Sequence, residues 1–209
     1  MTDATGTDTL SQTALGATIS LPKPGQTGAM SVEEAIARRR SVRDFTPDPL
    51  DLGAISQLLW SAQGITSAGG HRAAPSAGAR YPLEVCLVCS AGLFHYEPSG
   101  HALAKVAAAD LRGPLAEAAF GQQFVADAPI SLVFAAIYER TMSRYGERGV
   151  RYVHIDLGHA AENVHLQAEA LGLGSCAVGA FDDEAVARVL GLPAEQKPLY
   201  IIPVGRGQM

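Results

Sequence analysis

Arg38-Arg39-Arg40-Ser41-Val42-Arg43-Asp44-Phe45 places four arginines within eight residues of a chain whose formal net charge is −5. The segment closes a predicted helix. Ser31-Val32-Glu33-Glu34 reads as a capping box, with Ser31 as N-cap and Glu34 at N3. Val32 and Ile36 continue at helical spacing towards Arg39 and Arg40, and Pro47 and Pro49 forbid much continuation. Planar, permanently charged donors at this density suit a phosphate or carboxylate held bidentately. Ser41 can add a hydroxyl, and Arg39 and Arg43 share a face if the helix persists that far. The competing reading is a solvated basic turn complementing the helix C-terminal dipole.

Composition makes the cluster a local device. The chain is mildly acidic, with a pI of about 5.6, which excludes general nucleic-acid binding. Charged residues are 18% of the 209, below the roughly 25% usual for soluble domains. Hydrophobic residues are 47%, enough for a sizeable core and for extra buried surface at a subunit contact or cofactor. No apolar run approaches the ~18 residues of a membrane span, and the N-terminus lacks the basic-plus-apolar pattern of a secretory signal. Cys86, Cys89 and Cys176 make an odd count, read as reduced thiols in a cytoplasmic protein. Cys86 and Cys89 are spaced C-x-x-C, but in the strand-like run Leu83–Cys89 positions three apart face opposite ways, against a redox or zinc pair.

Outward from the arginines, residues 1–30 are rich in Thr, Ser, Gly and Ala and read as a flexible arm, leaving 31–209 as one domain. A helix is expected over 32–40 and another over 51–62, with Ile55, Leu58 and Leu59 on its apolar face. Residues 66–82 form a long loop of small residues, of the kind that carries function. Residues 83–90 and 92–97 read as a hairpin. Residues 102–120 read as a helix broken near Gly113-Pro114, and 129–138 as a strand buried on both faces. The longest helix is expected over 151–171, with Leu157, Ala161, Val164, Ala168 and Leu171 repeating at four and three residues. A strand over 175–180, a short helix capped by Asp182 and a last strand over 199–206 follow. Helices and strands mix without strict alternation, which predicts an α+β fold with a mostly antiparallel or mixed sheet.

Several motifs fail on context. Gly172-x-Gly174-x-x-Ala177 has the letters of a dinucleotide fingerprint, but a helix precedes it and a strand follows. There is no P-loop. His154, His159 and His165 lack zincin spacing, so no metal site is expected, and Ser76 and Ser175 lack a nucleophile elbow.

Four stretches in order carry a resemblance: Arg39-Arg40-Ser41-x-Arg43; Pro75-Ser76-Ala77-Gly78-Ala79-Arg80-Tyr81-Pro82; Ala177-Val178-Gly179-Ala180-Phe181-Asp182; and Pro203-Val204-Gly205-Arg206. With Tyr145–Tyr152 and Gly158-His159-Ala160-Ala161-Glu162-Asn163, they resemble the FMN-dependent nitroreductase superfamily, in particular its SagB-type dehydrogenases, over about 31–206. The resemblance implies a sheet sandwiched by helices, an intertwined homodimer and FMN at the interface. It assigns Arg39, Arg40, Ser41, Arg43 and Arg206 to the FMN phosphate. It lays Pro75, Ser76, Ala77 and Gly78 along the flavin, usually from the other subunit, and Gly179 and Ala180 near its N5 edge. SagB-type enzymes oxidise azoline rings of peptides to azoles with a Lys-Tyr pair; this chain has Arg80 and Tyr81. Arginine does not release its proton near neutral pH, which leaves Tyr81 as the candidate catalytic group, acting on a small-molecule or peptide substrate. The alternatives are an NAD(P)H-dependent nitro or quinone reductase and a non-catalytic anion-binding module.

Overall fold

Ile130-Ser131-Leu132-Val133-Phe134-Ala135-Ala136 is apolar at nearly every position, so it needs protein on both faces. All seven residues are buried. This strand lies inside the sheet, paired on both edges, in the computed structural model, which describes residues 5–208. In chain order the elements are α1 (Thr5–Gln12), β1 (Thr18–Ser20), α2 (Val32–Arg38), α3 (Leu52–Gln63), β2 (Leu83–Cys89), β3 (Gly92–Glu97), β4 (Ala102–Ala107), α4 (Arg112–Ala118), α5 (Gln123–Asp127), β5 (Ile130–Ala136), α6 (Glu139–Tyr145), α7 (Arg148–Ala170), β6 (Gly174–Ser175), α8 (Asp183–Leu190) and β7 (Lys197–Gly205). The strands lie in the order β1-β4-β3-β2-β5-β7-β6, and each neighbouring pair is antiparallel.

Side-chain alternation along the sheet splits the core in two. Val85, Leu87, Leu132 and Phe134 face α3 and α7, meeting Ile55, Leu58, Leu59, Val153, Leu157, Ala160 and Val164. Cys86, Val88, Val133 and Ile201 face α4, α5 and α8, meeting Leu115, Val125, Val186 and Leu190. The α+β sandwich expected from the sequence is therefore the observed architecture. Cys86 and Cys89 fall in opposite clusters, as strand geometry requires, and burial pushes the Cys86 thiol up to about 12.

Caps set the helix starts. Ser31 Oγ accepts from Glu34 N at 3.1 Å, Asp51 from Ala54 N at 2.7 Å and Asp182 from Ala185 N at 2.8 Å. The capping box at Ser31 is only half made, because the Glu34 carboxylate turns to Arg38 Nη1.

Two expectations are corrected. Residues 102–107 are strand β4, not helix. Ala-Leu-Ala-Lys-Val-Ala pairs with β1 on one edge and β3 on the other, with Leu103 and Lys105 buried and Val106 exposed, and that pairing overrides alanine's helical preference. The N-terminal segment is docked from Leu10 onward. Leu10 and Leu21 are in the core, β1 extends the sheet beyond β4, and buried Lys105 Nζ donates to the Leu10 carbonyl at 3.2 Å. The short helices α5 and α6 were not expected, having no apolar period long enough to read.

Candidate active site

The arginine segment is held by the far end of the chain. After α2 the backbone turns extended at Arg39 and runs beside β6 and the exit of β7. Val42 N donates to Ser175 O at 3.0 Å, Thr46 N to Arg206 O at 2.9 Å, and Gln208 N to Asp44 O at 3.0 Å. Ser41 pairs with Ser175 and Phe45 with Gly207 as bridges. A β-carbon on Gly174 would fall 2.6 Å from Val42 Cβ, so only glycine admits this approach. Phe45, 4% exposed, pins the segment to the core.

This stitching gathers Arg39, Ser41, Arg43 and Arg206 at one end of the sheet. Among the described residues, no carboxylate pairs with the side chain of Arg39, Arg43 or Arg206, whereas the neighbouring Arg38 bridges Glu34 and Glu169. The Arg43 guanidinium lies 5.8 Å from the centre of the Phe124 ring. Arg40 is turned differently: its Nη1 donates to the carbonyls of Ala37 and Arg39, capping the end of α2. Behind the cluster, buried His165 hydrogen-bonds Ser175 Oγ at 2.8 Å. Burial, with Arg39 adding to it against Glu162, holds His165 below its usual value, so it brings no charge at neutral pH.

Gly179 and Ala180 lie farther back along β7, between a bridge at Val178–Ile201 and the cap of α8; Ile201 precedes Arg206 by five residues, about 17 Å of strand. Both are exposed, and their N–H groups have no acceptor among the described residues. The Ala180 carbonyl accepts from Gln122 Nε2 at 2.9 Å. The turn therefore offers two uncommitted donors on fixed backbone.

The loop carrying Pro75, Ser76, Ala77 and Gly78 lies elsewhere along α7. Ala77 N donates to Asp156 Oδ1 at 3.3 Å, while the arginine end meets α7 at His165. Nine residues of helix, about 13 Å, separate these anchors. Gly78 has φ +59°, and a β-carbon there would fall 2.6 Å from Tyr145 Oη. Ser76 Oγ accepts from Tyr81 N at 2.9 Å. Arg80 is turned onto α6, donating to Arg140 O at 2.8 Å and Ser143 Oγ at 3.2 Å. A single chain thus brings together the arginines and Ser41, with Gly179 and Ala180 farther back along β7 and the 75–81 loop elsewhere along α7.

Sequence reading missed Asp156, Arg72 and the Glu84 hub. Asp156 left a signal, since it falls on the same face of α7 as Val153 and Ala160, where a carboxylate is out of place. Glu84 is flanked by His95 Nε2 at 2.7 Å and by Arg140. Burial pushes its carboxyl up, but these two partners outweigh burial and hold it below the usual range.

With this geometry in view, comparison with known proteins is decisive. The model of the nitroreductase family matches residues 36–206. The chain belongs to the nitroreductase family. Two relatives are named "putative nitroreductase": one from Methanocaldococcus jannaschii is 42% identical, over 85% of this chain and 91% of its own length. The other, from Ralstonia eutropha, has a crystal structure that superposes with a TM-score of 0.84 at 32% identity, covering 92% of this chain and 90% of that one. The microcin B17-processing protein of Escherichia coli is 28% identical over 68% of this chain, which spans only 57% of that protein. Membership makes this nitroreductase-family chain an oxidoreductase, from a family that typically binds FMN. Among the described residues, no helix is long and apolar enough to cross a membrane.

Proposed function

We propose that this oxidoreductase uses FMN, bound as a homodimer, with Arg39, Ser41, Arg43 and Arg206 on the FMN phosphate. The observation that carries the reading is a set of cations from opposite ends of the chain, stitched to one sheet end and left without carboxylate partners. Charge-assisted, bidentate contacts of this kind suit a phosphate dianion. Arg40 joins them by leaving two exposed carbonyls. When bound, FMN supplies hydride acceptance and donation at N5. The free N–H groups of Gly179 and Ala180 stabilise negative charge at the flavin edge. The Pro75–Gly78 loop, about 13 Å along α7, serves the cofactor held by the other subunit, and brings Tyr81 with it to face the substrate. Residues 31–209 form the cofactor-binding domain in this reading, and the buried thiols fit a cytoplasmic enzyme.

The finer reading is a SagB-type dehydrogenase of azoline or related rings. It draws on the likeness to the microcin B17-processing protein and on Tyr81, which contacts or protonates the substrate. The second reading is an NAD(P)H-dependent nitro or quinone reductase. It is favoured by the higher identity to the Methanocaldococcus relative and by Arg80, which is turned onto α6 and cannot serve as a lysine-like base. A visible spectrum of the purified protein tests the cofactor: a flavin band is expected, and a colourless protein unaltered by added FMN would contradict it. Bleaching by NADPH selects the reductase; oxygen-dependent turnover of an azoline peptide without NADPH selects the dehydrogenase.

A further inference from the structure

Tyr81 is held in a backbone geometry that a side chain disfavours. Its φ is +47°, and Ala79 two residues earlier is at +52°. Both are in the left-handed region, where a β-carbon is strained and where such strain collects at functional sites. Almost every group of Tyr81 is occupied. Its N–H donates to Ser76 Oγ at 2.9 Å, and its carbonyl accepts from Arg140 Nη1 at 3.1 Å. Its phenolic oxygen accepts from the Arg72 backbone N–H at 3.2 Å. The Arg72 guanidinium lies 4.6 Å from the ring centre. What remains is the phenolic hydrogen, which has no acceptor among the described residues.

Arg72 is itself fixed. Its Nη1 donates to Oε1 of buried Gln63 at 2.8 Å, and its backbone is bridged to Ile65. No carboxylate pairs with it among the described residues; nearby Glu84 is committed to His95 and Arg140. A half-buried cation has been set against one phenol and left without a counter-ion.

Resting on the reading of Tyr81 as substrate-facing, we propose that Arg72 is a positioning residue that makes Tyr81 a one-way hydrogen-bond donor. The Arg72 amide takes the acceptor side of the hydroxyl, and its guanidinium covers one ring face, where the cation–π contact holds the ring and sharpens the O–H as a donor. The substrate class that fits presents an exposed acceptor beside the reacting bond, such as a quinone or nitro oxygen or an azoline ring nitrogen. With its acceptor side taken by the Arg72 amide, the hydroxyl gives no comparable grip on a substrate group that can only donate.

The test uses the full chain labelled with 3-fluorotyrosine and read by fluorine NMR. The chain has 6 tyrosines, and Tyr81→Phe identifies one resonance. Arg72→Met is expected to move the Tyr81 line towards the free amino-acid position and leave the others in place. Arg72→Lys, which keeps charge but loses the planar stack, moves it part of the way and serves if the methionine variant does not fold. On flavin-loaded protein with menadione as acceptor, Arg72→Met should lower kcat/KM roughly tenfold, the loss of one well-placed hydrogen bond. In a Tyr81→Phe background the same substitution should add less than about twofold, because there is no hydroxyl left to position. An unmoved Tyr81 resonance, or equal losses in the two backgrounds, overturns the proposal. A protein without flavin would sink the cofactor reading alone, since the NMR result decides the role of Arg72 by itself.

Discussion

Asp156 is 4% exposed, with Oδ1 on the Ala77 amide and Oδ2 without a hydrogen-bond partner among the described residues. Burial lifts its carboxyl above the ordinary range, and hydrogen bonds from Ser76 and Ala77 only partly offset this. The folded state therefore holds the proton more tightly than the unfolded chain. Its contribution is fully present below the unfolded pKa and is lost as pH rises through the folded one. Asp156→Asn cannot ionise, so wild type should compare best with it near pH 4. The stability difference should move towards the variant by about 1 kcal/mol as pH rises to 8, measured by urea denaturation at each pH. A difference that stays constant with pH would show that Asp156 does not titrate with folding.

At the level of elements, the N-terminal segment is anchored in the core at Leu10 and Leu21. Leu10 is 1% exposed and packs in the same cluster as α3. Leu10→Ala should cost about 2–4 kcal/mol, read as a lower urea midpoint; a loss under half a kcal/mol would restore the free arm. The segment was illegible in sequence because its Thr, Ser and Gly content hides two isolated anchors, Leu10 and Leu21, that have no period. β4 was misread for a related reason: Ala102, Leu103 and Ala104 prefer helix, and only β1 and β3 make them strand. Where pattern and environment agree, reading was direct. The apolar run of β5, the stripe of α7, and the caps Ser31 and Asp182 stand as their residues predict. Charge density alone pointed to an anion at the arginine cluster, which is the reading proposed above. The cluster's junction with β6 and β7 was not legible, since Gly174 shows the need for close approach only when Val42 is beside it. Arg72 reads as one basic residue in a loop until Tyr81 is seen beneath it.

On the scale of the whole molecule, the account needs two copies. One chain gathers the arginine end but leaves the Pro75–Gly78 loop about 13 Å away along α7. The long helix also exposes Ile155, and α2 exposes Val32 and Ile36. Ile155→Arg should convert a dimer to monomers in sedimentation velocity and lower flavin content, without lowering the stability of the monomer by more than about half a kcal/mol. The phosphate grip can be isolated from all of this by titrating flavin-stripped protein in parallel with FMN and with riboflavin, which differ by the phosphate alone. FMN is predicted to bind about 100-fold more tightly or better, given charge-assisted contacts of about 1.5–3 kcal/mol each, and Arg43→Ala should close roughly a tenfold part of that gap. Equal affinity for the two flavins, or binding of neither, would contradict the proposal that Arg39, Arg43 and Arg206 hold a cofactor phosphate.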